Sequence, residues 1–364
     1  MDDTNPQTIQ AIQNALRSED VTKLREIAFW PGGFQNNELR RQVWPMLMGL
    51  DRRPSQIKLL DLPSDLQIKN DALKTSQDKQ QQIYPILKKL LQHKYKIETT
   101  NGKDEIETIV DDVKRTFTDG RLIPSEQNAL RIILLKIILT MIIMHPTILK
   151  YTQGYNLIVS VFITVFIPNS DNVQYLQDCF HTVENATLFY FHKFSDQKIF
   201  VSEMSYTFLL QLIKLLNPSI IHYFTNPLYY YNYFRHFSTW FYVSQNMNIN
   251  IRRFDAFLAI PDPLFPLYFA ASYFNSKARE ILKEDTTSPS TFLQDLLTTP
   301  ADNEDELLKK ALQLYQRFPP DTLENKQHHE INKQDTLENK QHHEVILLGV
   351  VAVLLGVVSG TFAN

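Results

Sequence analysis

Apolar residues recur at three- and four-residue intervals along most of this chain and two-residue alternation is scarce, so the pattern predicts helices from the start. Ile9, Ile12 and Leu16 open the series, and Val21, Leu24 and Ala28 continue it behind Asp20, whose short carboxylate suits a helix cap. WPGGF (30–34) breaks the pattern. ELRRQVWPMLMGL (38–50) resumes it through Leu39, Val43, Leu47 and Leu50, with Pro45 limiting its regularity. Residues 52–79 are polar and mixed, a connecting excursion.

From Asn128 to Phe166 the chain turns strongly apolar. RIILLKIILTMIIM (131–144) contains Lys136 and Thr140 and stops at His145-Pro146, short of the roughly 20 residues a bilayer core asks for, so it reads as a central buried helix. YTQGYNLIVSVFITVF (151–166) places Gln153, Asn156, Ser160 and Thr164 at helical spacing, a polar stripe on an inner face. Residues 180–282 continue as apolar and aromatic helices. In LYYYNYFRHFSTWFY (228–242) Arg235 is the sole formal cation, which suits core packing and not a platform for stacking bases. The expected class is all-α.

After RFPP, ending at Pro320, the composition turns polar and DTLENKQHHE occurs twice, at 321–330 and 335–344. A 14-residue period is close to four helical turns, so His328, His329, His342 and His343 fall on one side of a helix. Their spacing matches no established set of metal ligands, and no metal site is expected; the repeat reads as a hydrophilic stem. The division expected is a folded domain over 1–320, a stem over 321–344 and an uncharged apolar segment over 345–364. As a helix that last segment would be about 30 Å long, the thickness of a bilayer's hydrocarbon core, and it reads as a tail anchor. Ala352, Gly356 and Gly360, four apart, form a small-residue stripe through which two anchors could associate.

Composition narrows the functional classes. The chain has 364 residues, 43% of them hydrophobic, enough for a large core. Its formal net charge is −3, which speaks against nucleic acid as a partner. Cys179 is the single cysteine, expected to be buried; it permits no internal disulfide. Neither a dinucleotide-binding G-x-G-x-x-G nor a phosphate-binding G-x-x-x-x-G-K-[ST] occurs, so no nucleotide cofactor of its own is expected. MDDTNPQTIQ is acidic and not a secretory leader, which puts the main domain in the cytosol with insertion after synthesis.

One short stretch carries candidate chemistry. Over residues 106–120, around IVDDVKRT (109–116), the stripe Ile106, Ile109, Val113 and Phe117 marks the buried side of a helix, with Asp111, Asp112 and Arg115 elsewhere and Gly120 as the C-cap. Alone, these charges read as a surface ion pair worth about 0.3–0.5 kcal/mol.

Three segments taken together say more. Arg40 and Trp44 fit R-x-x-x-W; Ile109, Asp112, Arg115 and Thr116 fit I-x-x-D-x-x-R-T; Tyr151, Gln153 and Gly154 fit Y-x-Q-G-M, with Tyr155 in place of the methionine. In order and spacing the chain resembles TBC-domain Rab GTPase-activating proteins over about residues 20–320, and residues 240–274 resemble a small ER-anchored branch of that family. The resemblance implies a TBC domain of two helical subdomains and a regulator of an enzyme. It would act in trans on a Rab-family GTPase in its GTP-bound state, which carries the GTP and Mg itself. Arg115 and Gln153 would be the catalytic arginine and glutamine fingers, Asp112 would hold Arg115, and Thr116, Tyr151 and Gly154 would shape the backbone for close approach of the Rab. The resemblance also implies ER-to-Golgi traffic and a tail-anchored ER location. The alternative is a membrane-tethered Rab-binding adaptor without catalysis.

Overall fold

The computed structural model describes residues 5–50, 59–60, 105–118, 122–146, 148–168, 175–191, 199–225, 239–242, 246–283 and 301–321. Gly120, residues 322–344 of the stem with its histidines and the apolar segment 345–364 lie outside the described residues, as do 52–58 and 61–79 of the excursion. Every regular element among the described residues is helical, as the periodicity predicts. The chain forms two compact units. One comprises Met1–Val201, His236–Pro263 and Asp302–Asp305; the other comprises Ser202–Arg235, Leu264–Ala301 and Glu306–Asn364.

The first unit begins with α1 (Pro6–Arg17), α2 (Val21–Ile27) and α3 (Asn37–Leu47). Each starts behind a side chain that accepts an otherwise orphaned backbone N–H: Asn5 from Gln7 and Thr8, Asp20 from Lys23, and Asn36 from Leu39. α1 buries Thr8, Ile12 and Ala15, one step round from the expected stripe, leaving Ile9 and Leu16 half-buried. α3 runs on through Pro45 because Trp44 and Leu47 on either side of it are locked in the core. Trp44 packs edge-on to Phe162, with ring centroids 5.4 Å apart.

α4 (Glu105–Lys114), α5 (Pro124–Met144), α6 (Tyr155–Phe166) and α7 (Leu176–Ala186) complete the unit with α10 (Met247–Ala259). α6 is central: α3, α4, α5, α7 and α10 all pack on it. α5 is 21 residues long, more than its apolar run suggests, because a polar first turn and Pro124 extend it at the N-terminus. Its length and composition alone would let it cross a membrane, yet Leu134, Leu135, Ile137 and Ile138 are fully enclosed, which makes it the core helix expected. Cys179 on α7 is buried and free, and burial pushes its thiol up out of the range of a reactive thiolate.

α10 carries two buried arginines, and the short segment 302–305 answers both. Arg252 Nε donates to Asp305 at 2.6 Å and Arg253 Nη2 to Glu304 at 2.5 Å. Arg252 also caps the carbonyls of Ala28 and Trp30. Of the aromatic stretch 228–242 only residues 239–242 are described; they form a turn and not a helix, with Thr239, Trp240 and Phe241 buried.

The second unit holds most of α8 (Ile199–Leu216), α9 (Ile221–Phe224), α11 (Phe265–Ser276), α12 (Ala278–Ile281) and most of α13 (Glu304–Arg317). Its core is aromatic: Tyr268 meets Phe208 and Tyr315 edge-on and donates its hydroxyl to the Phe318 carbonyl at 2.7 Å.

Candidate functional site

The C-terminal end of α4 builds the first half of the site. Arg115 N–H bonds Asp112 O and Thr116 N–H bonds Val113 O, each at 3.1 Å, a tightened last turn. Phe117 follows with φ +59°, so the chain leaves the helix three residues before the expected cap, in a region that bulky side chains rarely enter. Ile106, Ile109 and Val113 are buried as expected. Asp112 is buried with them, only 4% exposed, and does not lie on another face. The spacing contained this: Asp112 is three residues past Ile109 and beside Val113.

The two aspartates therefore separate. Asp111 makes an outer ion pair with Lys114 at 3.2 Å. Asp112 Oδ1 accepts from Arg115 Nη2 at 2.5 Å, while the Arg115 side chain remains 65% exposed. Among the described residues nothing else holds the guanidinium, so its other N–H groups face outward from a buried anchor.

The loop before α6 supplies the second half. Tyr151 donates its hydroxyl to Asp112 Oδ2 at 2.8 Å and its backbone N–H to Glu105 Oε1 at 2.7 Å. Burial first, and the Asp112 carboxylate beside it second, push the Tyr151 phenol far up, so it stays a neutral donor. Asn156 closes the arrangement: Nδ2 donates to Asp112 O at 3.2 Å and to Thr116 Oγ1 at 2.9 Å, and Oδ1 accepts from Tyr151 at 3.3 Å. Thr116 Oγ1 donates back to Asp112 O at 2.9 Å, and Arg131 on α5 fixes the Thr116 carbonyl at 3.0 Å. Four residues predicted for the site, Asp112, Arg115, Thr116 and Tyr151, thus form one hydrogen-bonded cluster. Asn156, Glu105 and Arg131 belong to it although the motif comparison passed them over.

Gln153 lies two residues beyond Tyr151, exposed, in the turn that precedes α6. It is not part of a helical stripe, because Gly154 at φ +100° ends the turn and the helix begins at Tyr155. Asn156 and Ser160 are buried on α6; Ser160 and Thr164 return their hydroxyls to carbonyls of the same helix. The Gln153 amide has no partner among the described residues.

Gly154 is required from within the fold. A Cβ there would come 2.5 Å from the Thr239 methyl, so the missing side chain admits Thr239, and Gly154 itself is buried and not a surface of approach. Gly154→Ala is expected to cost about 2 kcal/mol from the left-handed backbone and the clash. Urea unfolding of Gly154→Ala beside Gly154→Ala/Thr239→Ser, which removes that methyl, would check this; equal midpoints for the two would refute the clash.

Arg40 and Trp44 do not join the cluster. Arg40 grips the fully buried Asp255 of α10 through Nε at 3.0 Å and Nη2 at 2.9 Å, and Trp44 Nε1 donates to the same carboxylate at 2.9 Å. Phe34 N–H adds a fourth donor at 3.2 Å, and Gly33 lets the WPGGF turn lie against Asp255, where a Cβ would come 2.5 Å from its oxygen. R-x-x-x-W is therefore the ion-pairing half of a structural contact. Sequence reasoning missed Asp255, although a lone carboxylate amid IRRFDAFLAI demands a buried cation.

Among the described residues no group of His, Cys, Asp and Glu is placed to hold a metal ion. Comparison with known proteins matches residues 37–282 to the family model described as the Rab-GTPase-TBC domain. The chain is similar to TBC1 domain family member 20 of Bos taurus, 29% identical over 323 residues, covering 86% of this chain and 68% of that protein. The Homo sapiens protein of the same name is 28% identical over the same shares. In fold it is similar to the crystal structure of the Ypt/Rab-GAP domain of Gyp1p, with a TM-score of 0.56 and 19% identity, covering 86% of this chain and 98% of that one.

Proposed function

The chain belongs to the Rab-GTPase-TBC domain family and is, in general terms, an activator of Rab GTPases; we propose that it works by presenting Arg115 and Gln153 in trans to GTP bound on the Rab. The observation that supports this most is a contrast in burial. Asp112 is enclosed, yet the arginine it holds is exposed, and an exposed glutamine sits two residues from Tyr151, the other ligand of that carboxylate.

Phosphoryl transfer to water calls chiefly for positioning and for stabilising charge on the transferred group. Arg115 is tethered by one nitrogen and offers its remaining fork to phosphate oxygens as charge grows on them. An arginine finger contributes a factor of about 10³–10⁵, or roughly 4–7 kcal/mol of barrier. Gln153 orients the attacking water, accepting through its carbonyl and donating through its amide, with no proton transfer of its own. Tyr151 and Asn156 keep the two carriers in register.

On this reading the segment 345–364 is a tail anchor, able to self-associate through its small-residue stripe, and the domain 1–320 faces the cytosol at the ER membrane in ER-to-Golgi traffic. The reading is tested with the full-length chain in detergent against a panel of GTP-loaded Rabs, following phosphate release. At least one Rab is expected to hydrolyse GTP about 10³ times faster with it. Tight binding of a GTP-loaded Rab without acceleration would establish the adaptor reading instead. Removing residues 345–364 is expected to release the protein from carbonate-washed membranes, and persistence in the pellet would count against the anchor.

A further inference from the structure

The loop that carries Gln153 leaves α5 at His145 and enters α6 at Tyr155. Both ends are tied to the C-terminal end of α7, at Glu184 in its last turn and at Thr187, the residue that caps it. His145 Nε2 lies 2.8 Å from Glu184 Oε1, and Tyr155 Oη lies 2.7 Å from Thr187 Oγ1. Glu184 is itself mostly enclosed, and its second oxygen lies 3.4 Å from His181 Nδ1, so both carboxylate oxygens face a ring nitrogen. Inside the loop, Ile148 and Leu149 N–H groups both bond His145 O, a tight coil that begins at the clamped histidine. The inner side is held separately by Tyr151 on Asp112 and Glu105. The tie to Thr187 depends on the Tyr155 hydroxyl alone.

We propose that Glu184 and Thr187 are positioning residues for Gln153, clamping both ends of its loop through His145 and Tyr155. This rests on the catalytic reading above for its link to hydrolysis, but the clamp itself is a property of the loop. Tethering a water-orienting side chain at both ends of its loop limits misplacement, and an error of about 1 Å can cost on the order of 10²-fold in rate.

Two measurements separate the clamp from the catalytic reading. Hydrogen exchange of the full-length chain in detergent should show the Leu149 and Leu157 amides, whose bonds close the loop's two ends, exchanging about tenfold faster in Glu184→Ala and in Tyr155→Phe than in wild type. Unchanged exchange in both would overturn the clamp whether or not any Rab responds. With a responsive Rab, each variant is expected to lower the maximal stimulated rate about tenfold with KM changed less than about twofold. In a Gln153→Ala background the same substitutions should cost less than about twofold more, because the residue they position is gone. Equal losses in both backgrounds, or a loss confined to KM, would show that they act elsewhere. Should Glu184→Ala not fold, His145→Phe breaks the same tie from the loop side and is read by both measurements, while Tyr155→Phe, which keeps the ring and removes only the hydroxyl, tests the Thr187 tie. Faster exchange in a chain that activates no Rab would leave the clamp standing and remove the catalytic reading.

Discussion

Arg115→Ala is expected to lower stimulated GTP hydrolysis by about 10³-fold or more in single-turnover assays while Rab binding and the melting temperature stay near wild type. The geometry separates function from stability here. The side chain is 65% exposed and makes one described contact, to Asp112, so its loss removes little packing. Asp112 keeps its Tyr151 donor and gains access to water on the other oxygen. Arg115→Lys is expected to recover less than about tenfold, since an ammonium on a flexible stem cannot be held by one donor while offering a planar fork with the rest. Near-normal rates from either variant would sink the assignment of Arg115. A loss of binding equal to the loss of rate would make it a docking residue.

Asp255→Ala is expected to destabilise the domain by about 3–5 kcal/mol, the usual cost of stripping the partner from a buried charge. That is a large part of the roughly 5–15 kcal/mol that holds a typical domain together. The carboxylate accepts from Arg40, Trp44 and Phe34 N–H, and all these donors would be orphaned in a space closed to water. Asp255→Asn should also be costly, because its amide nitrogen would face donors already placed. Arg40→Ala combined with Asp255→Ala should cost clearly less than the two singles added, since the second change removes the group the first left unpaired. Chemical unfolding of the three proteins measures this; additive losses would mean that the pair contributes little. The prediction also separates R-x-x-x-W from the other two motifs: its variants should lose activity only as far as they lose folded protein.

Most of the helical architecture was legible in the chain itself. The three- and four-residue spacing of apolar positions is a local property, and so are the caps: Asp20 caps α2 as its position suggested. The lone aspartate and arginine of I-x-x-D-x-x-R-T were also local, three residues apart and able to meet within one turn. Gln153 shows the limit of such reading. Its spacing to Asn156 fits a helix, but the left-handed Gly154 stands between Gln153 and a helix that begins only at Tyr155, and Thr239 in a distant turn leaves no room for a side chain at that glycine.

What the sequence by itself determined, then, was the class of fold and the short segments that could carry chemistry, because periodicity and motif spacing act over a few residues. Only the tertiary structure decided which charges are structural and which are free. Arg40 and Arg115 look alike in sequence, each an arginine in a short motif. One is buried on a carboxylate 215 positions away, and the other stands in solvent on a carboxylate three positions back. The difference lies in desolvation, which depends on what the rest of the chain folds over each guanidinium and cannot be read from the residues beside it.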